Sequence, residues 1–271
     1  MLVDTFMFYN EFDILELRLE LLDRYVDRFV LVESEVNHVG GPKELFFQNN
    51  KQRFARWLPK ITHIIVTAEE APKDENPWSR EKYQRECILR GLEEGVHADG
   101  TYASPVPNDS IVMISDVDEI PDLRIIKFEK LESVITSVHM WMFEYSLDYL
   151  FVGEPWIGTV ITTCDLVKRA GPNRFRDGRW KFPVIQYAGW HLSSFGNPEH
   201  IWNKFQTYAH AKDGHHATQT PETFKEFIEK GLHTDGKTKL IPRPMEVPLP
   251  APADTLLRLK LGTFVGNGPS S

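Results

Sequence analysis

Three carboxylates fall within four residues in the segment Ile111-Val-Met-Ile-Ser-Asp116-Val-Asp118-Glu119-Ile-Pro121. Crowded carboxylates repel one another, and leaving them unpaired is costly. A divalent cation relieves that cost, and hard oxygen ligands suit Mg²⁺ or Mn²⁺. A cation held there can grip a diphosphate and neutralise it as a leaving group. That chemistry serves a nucleotide-sugar glycosyltransferase, a nucleotidyltransferase and a metal-dependent phosphohydrolase alike. The structural alternative is a solvated acidic turn capping a helix that begins near Asp122.

The elements that must position this cluster are legible around it. Ser110–Ser115 is apolar and β-branched, so it predicts a buried strand with the carboxylates at its C-terminal end. In open α/β sheets, ligands bind at that end. Leu2–Phe8 predicts a first strand, Ile14–Val26 a helix, Phe29–Val32 a second strand, and Lys51–Leu58 a helix that stops before Pro59. Ile61–Val66 predicts a third strand, and Asn76-Pro77 opens a helix from Trp78 to Glu94. Such alternation implies parallel strands with crossover helices, hence an α/β fold. Val134 to Tyr187 is richer in β patterns and loops, and helices follow near Pro198–Ala211 and Pro221–Lys230. Pro242, Pro244, Pro248, Pro250 and Pro252 mark a wrapping or loose tail, with its last residues disordered. The expected division is one domain over residues 1–241 and a tail over 242–271.

Composition narrows the function. The chain has 271 residues and a net charge of 31 − 39 = −8, which argues against a nucleic-acid partner. Hydrophobic residues make up 41% and charged residues 26%, an ordinary globular balance. Cys87 and Cys164 are too few for a disulfide framework or a four-cysteine zinc site. No run of apolar residues is long enough for a transmembrane segment. Met1–Asn10 is interrupted by Asp4 and has no basic residue before it, so it does not look like a signal peptide. The cytoplasm is the expected location.

Several further stretches resemble glycosyltransferase family 17. They are Phe6-Met-Phe-Tyr-Asn10-Glu11-Phe-Asp13-Ile-Leu15-Glu-Leu-Arg18, then Asp27-Arg-Phe-Val-Leu-Val-Glu33-Ser34 with His38, Gly40 and Lys43. Trp78-Ser-Arg-Glu81-Lys-Tyr-Gln-Arg85, the acidic motif, and Gly189-Trp190-His191-Leu-Ser193-Ser-Phe195 with Ile201 and Lys204 complete the set. Together they cover about residues 1–211. The resemblance implies a GT-A-like nucleotide-sugar-binding fold with a central, mostly parallel sheet flanked by helices. It also implies a UDP-sugar donor such as UDP-GlcNAc, Mn²⁺ or Mg²⁺ dependence, a glycan acceptor and an inverting reaction. The membrane anchor of the eukaryotic enzymes has no counterpart in these residues.

On that resemblance, Asp118 is the leading metal ligand. Asp116 would meet the metal's water shell or the donor ribose, and His191 would complete the metal site or bond a phosphate oxygen. Tyr9, Asn10, Glu11, Glu33, Ser34 and Lys43 would face the donor, with helix capping as the alternative for Asn10 and Glu11 and a salt bridge for Glu33. Arg85 either pairs with Glu81 on a helix surface or orients the acidic motif from behind. Trp190 either packs under a sugar ring or belongs to the core. Glu119 either orders the metal's shell or is a surface carboxylate. The base that takes the acceptor proton is unresolved among Glu119, Glu144, Asp148 and Glu199. Lys168, Arg169, Arg174, Arg176, Arg179 and Lys181 form a basic stretch that either offsets the donor's phosphate charge or meets an acidic acceptor, or is a solvated loop, the favoured reading. His200, His210, His215 and His216 lack zinc spacing and are expected to be solvated. A non-catalytic carbohydrate-binding protein is the remaining alternative to an enzyme.

Overall fold

The computed structural model describes residues 1–131, 133–209, 211 and 218–262. His210, His215, His216 and the extreme C-terminus lie outside the described residues. The chain opens with β1 (Leu2–Met7), α1 (Phe12–Leu22), β2 (Arg28–Ser34), α2 (Phe46–Asn50), a 3₁₀ stretch Lys51–Lys60, β3 (Ile61–Val66) and α3 (Pro77–Glu86). A small hairpin, β4 (Gly95–Val96) and β5 (Tyr102–Ala103), precedes β6 (Ile111–Asp116) and β7 (Glu119–Pro121). Then come β8 (Thr136–Glu144), β9 (Tyr149–Leu150), β10 (Trp156–Thr163), α4 (Cys164–Ala170) and α5 (Pro172–Gly178). The chain closes with β11 (Val184–Ile185), β12 (Gly189–Ser193), α6 (Pro198–Thr207), α7 (Pro221–Lys230), β13 (Ile241–Pro242) and α8 (Ala253–Arg258).

This is an α/β fold built on one large sheet. Strands β3, β2, β1 and β6 lie side by side and parallel. The sheet continues through β10, antiparallel to both β6 and β8, and β12 then pairs parallel to β8. The C-terminal ends of β1, β2, β6, β8 and β12 therefore share one edge. Tyr9–Glu11, Glu33–Ser34, Asp116–Asp118, Glu144 and Ser193–Ser194 all come to that edge. Two apolar clusters pack the sheet. One joins Phe6, Leu15, Leu17, Leu31, Met113 and Trp190; the other joins Val30, Val32, Ile88, Ile114 and Val160.

Three local expectations change. The helix expected at Lys51–Leu58 is a 3₁₀ stretch preceded by α2, and it runs through Pro59. The helix expected to reach Glu94 is α only to Glu86 and 3₁₀ over Cys87–Leu92. There Gly91 lies so close to β2 that a Cβ would collide with the methyls of Val30. No helix begins at Asp122, because the preceding residues pair with β12 as β7, and the Asp122 carboxylate instead receives Arg124. The Pro-rich segment packs on the domain. β13 pairs with β9, the Pro248 carbonyl accepts the Trp190 indole N–H at 2.7 Å, and Leu256, Leu259 and Leu261 join the larger cluster. Cys87 and Cys164 are buried and free. Among the described residues no helix is long and apolar enough to cross a membrane.

Candidate functional site

At the shared edge of the strands lies a cavity of about 1090 Å³. Its floor is the acidic motif. The turn after β6 is held from below by Arg18 of α1, which is fully buried. Arg18 grips Asp4 of β1 with two hydrogen bonds, 2.8 and 2.6 Å. Its third nitrogen donates to the carbonyls of Glu119 (2.5 Å), Asp116 and Val117 (3.2 Å each). One side chain thus fixes the backbone that presents the carboxylates.

The three carboxylates take different partners. Asp116 receives Arg176 at 2.6 Å and Arg85 at 3.3 Å, and Arg85 also holds Glu81 at 2.7 Å. Arg85 thus joins Glu81 to the acidic motif, and because it is buried the pair is not a helix-surface one. Burial would raise the proton affinity of Asp116, but Arg176 and then Arg85 hold it below the ordinary carboxylate range. Asp118 faces Lys204 of α6 at 3.2 Å and the His191 Nε2 of β12 at 3.7 Å. Burial acts upward there too, and is outweighed first by Lys204 and then by His191, so the carboxyl stays ionised. The same pairing raises Lys204 against its own desolvation.

Glu119 turns away from the cavity. It is fully buried, accepts Arg176 at 2.5 and 2.8 Å, the Trp156 indole N–H at 2.8 Å and the Asp116 backbone N–H at 3.0 Å. It is a positioning group with no lone pair left for a substrate proton. The other three candidate bases do not line the cavity either. Glu144 is buried at the end of β8, Asp148 is turned toward Ser146, and Glu199 is exposed on the first turn of α6.

Of the expected donor-facing residues, Tyr9, Glu11, Lys43, Arg85 and Asp116 line the cavity. Lys43 sits 5.0 Å over the Tyr9 ring and 3.8 Å from Glu33, and burial lowers its pKa. Asn10, Glu33, Ser34 and Trp190 do not line it. Glu33 is fully buried and structural: it accepts the Phe47 and Gln48 N–H groups at the start of α2 and pairs with His63. The Ser34 hydroxyl accepts the Val36 N–H, and Trp190 is in the core. Glu11 makes no side-chain cap for α1; its carboxylate folds back onto the Tyr9 and Asn10 N–H groups.

The basic stretch is helical rather than a loop, and it divides: Arg169, Arg174 and Lys181 are exposed, whereas Arg176 and Arg179 turn inward. Gly171, at φ +77, separates α4 from α5 and turns α5 toward the motif. Arg176 is thereby buried among the carboxylates, and Arg179, one turn further, lines the cavity. A stack runs outward from the motif. Trp156 lies on His191 with ring centroids 4.2 Å apart and an angle of 17°. Arg179 sits 5.8 Å from the Trp156 ring and 5.0 Å from that of Trp180 at the rim.

Among the described residues no three His, Cys, Asp or Glu side chains converge into a complete metal cage. Asp118 and His191 offer two donors on one wall. The other ring nitrogen of His191 is buried without a partner, so Nε2 is the atom it presents. Two protein donors fit a hard cation that takes its other ligands from substrate phosphates and water.

The sequence pattern of glycosyltransferase family 17 matches residues 1–235, and the chain belongs to that family. Its relatives include the β-1,4-mannosyl-glycoprotein 4-β-N-acetylglucosaminyltransferases of Homo sapiens and Rattus norvegicus. Each is 25% identical over 223 residues, covering 72% of this chain and 40% of the relative. The chain thus spans well under half the length of the curated relatives it matches. Among solved structures, HddC from Yersinia pseudotuberculosis covers 69% of this chain and 90% of its own, at 12% identity and a TM-score of 0.39. That likeness is too loose to carry an argument.

Proposed function

We propose that the chain is an inverting glycosyltransferase that moves GlcNAc from UDP-GlcNAc onto a hydroxyl of a glycan acceptor with the help of Mn²⁺ or Mg²⁺. The observation that carries this reading is the cavity floor, where Asp118 meets both His191 and Lys204 while Asp116 is held by two arginines. Membership of the family and the N-acetylglucosaminyl transfer named in the relatives support a GlcNAc-transferring reaction class.

In this reading Asp118 and His191 would hold the cation, which would supply positive charge for the departing diphosphate. Lys204, beside Asp118, adds a second positive charge at the same place. Arg85 and Arg176 keep Asp116 ionised and fixed, so the acidic motif does not rearrange as charge develops. The other end of the cavity, with Tyr9, Asn37, His38 and Lys43, receives the nucleotide. The acceptor enters from the opposite, aromatic end, and displacement occurs at the anomeric carbon between them.

The test is release of nucleoside diphosphate from a panel of UDP-sugars with Mn²⁺, Mg²⁺ or EDTA, with UDP binding followed by calorimetry. Metal-dependent UDP release from UDP-GlcNAc, lost in Asp118→Asn, is the expected result. Absence of both turnover and metal-dependent UDP binding would overturn the reading and favour a carbohydrate-binding protein. Pyrophosphate as product would point to a nucleotidyltransferase.

A further inference from the structure

The candidate bases legible in the sequence all turn away from the cavity, so the acceptor proton needs another destination. The carboxylates that do line it are Glu11, Glu81, Asp116, Asp118, Glu154, Asp177 and Asp235. Six of these are engaged. Glu11 holds backbone N–H groups, Glu81 holds Arg85, and Asp116 and Asp118 hold the cations described above. Asp177 pairs with Lys82 at 3.1 Å, and Asp235 accepts Lys237 and Thr238 in its own turn. Glu154 alone among these lining carboxylates has neither an ion pair nor a hydrogen bond to a described residue.

Its place in the chain puts it on the Trp156 side of the cavity. Glu154 lies two residues before Trp156, so their Cα atoms are at most about 7 Å apart. The Trp156 ring is the one stacked on His191, beside Asp118. Glu154 is exposed, so a proton it takes can pass to solvent. Across the same rim stands Trp180, 53% exposed, with Arg179 against its ring and Arg179 Nε in turn donating to the Ile157 carbonyl at 2.8 Å. An indole with an open apolar area suits the C–H face of a pyranose. Glu154, unpaired at that rim, suits a sugar hydroxyl as its hydrogen-bond donor and disfavours an anionic glycan.

Resting on the transferase reading above, we propose that Glu154 is the general base of the reaction and that the acceptor is a neutral glycan whose sugar ring lies on Trp180. The acceptor hydroxyl loses its proton to the Glu154 carboxylate as its oxygen bonds to the anomeric carbon. The bond from that carbon to the diphosphate oxygen breaks, and its electron pair leaves with the nucleoside diphosphate.

The experiment compares wild type, Glu154→Gln, Glu154→Asp and Trp180→Ala. UDP release from UDP-GlcNAc is measured with water alone and with a neutral oligosaccharide ending in β-linked mannose. Glu154→Gln is expected to lower kcat by about 100-fold or more, with the donor KM and calorimetric UDP affinity unchanged, and Glu154→Asp to recover part of the loss. Trp180→Ala is expected to raise the oligosaccharide KM about tenfold, by loss of a stacking surface. Wild-type turnover in Glu154→Gln would overturn the base assignment and leave the transferase reading standing. An unchanged KM in Trp180→Ala, or preference for a carboxylated oligosaccharide, would overturn the acceptor assignment. If the wild type neither binds UDP nor turns over donor, the transferase reading falls and takes this proposal with it.

Discussion

Glu144 is the least satisfied side chain near the site. It is fully buried, neither oxygen completes a hydrogen bond, and the nearest cation-capable group is His233 Nε2 at 3.7 Å. Burial raises its pKa, offset in part by His233. A folded-state pKa above the unfolded one means that the stabilising effect is complete below the unfolded value. It is lost as pH rises through the folded value. Glu144→Gln should therefore melt higher than wild type at pH 8 and nearly level with it at pH 4, as differential scanning calorimetry would show. Asp116 and Asp118 work in the opposite sense. Their pKa values are depressed, so their contribution is present above the ordinary carboxylate range and disappears as pH falls through the folded values. Of the residues in the site, Asp116, Asp118, Arg85 and His191 were legible because a motif groups them or a helical spacing pairs them. Arg176 and Glu154 were not. Each reaches the cavity through the path of a loop or a short helix, and a sequence does not state that path.

At the scale of elements, the decisive joint is between α1 and the turn after β6. It rests on Arg18, in a helix whose other buried positions are apolar: Ile14, Leu15, Leu17, Leu19 and Leu22. A guanidinium on that face, and an aspartate inside the apolar strand β1, were two visible anomalies whose pairing only the fold reveals. Arg18→Ala strands Asp4 without its partner inside the protein. Breaking such a pair costs about 3–5 kcal/mol, so the urea midpoint should fall by a corresponding amount, and activity with it as the carboxylate turn loosens. A midpoint equal to wild type would show that the turn holds itself. Strands were the easiest elements to foresee, since β3 matches the apolar run Ile61–Val66. The 3₁₀ stretches were harder. One of them contains Gly91, packed against Val30, and another contains Pro59.

At the scale of the whole molecule, proline content left a wrapping tail and a loose one both open, and residues 242–262 wrap the domain and bury leucines in its principal core. The signal was the spacing of Leu256, Leu259 and Leu261 beyond the prolines. Leu256, fully buried, should cost about 2–5 kcal/mol when truncated to alanine, measurable as a lowered urea midpoint; no change would mean that the tail is a passenger. Arg258 of α8 reaches Glu16 and Glu20 of α1, so nearly the last described turn of the chain clamps the first helix. This has a consequence for the newborn protein. Synthesis runs at roughly 5–20 residues per second, so α1 must wait on the order of 10–50 s for its clamp. During that interval the apolar cluster that α1 shares with Leu256, Leu259 and Leu261 is incomplete. The chain is accordingly expected to depend on chaperones early in its life, and a stalled ribosome short of α8 would display an unfinished, adhesive surface.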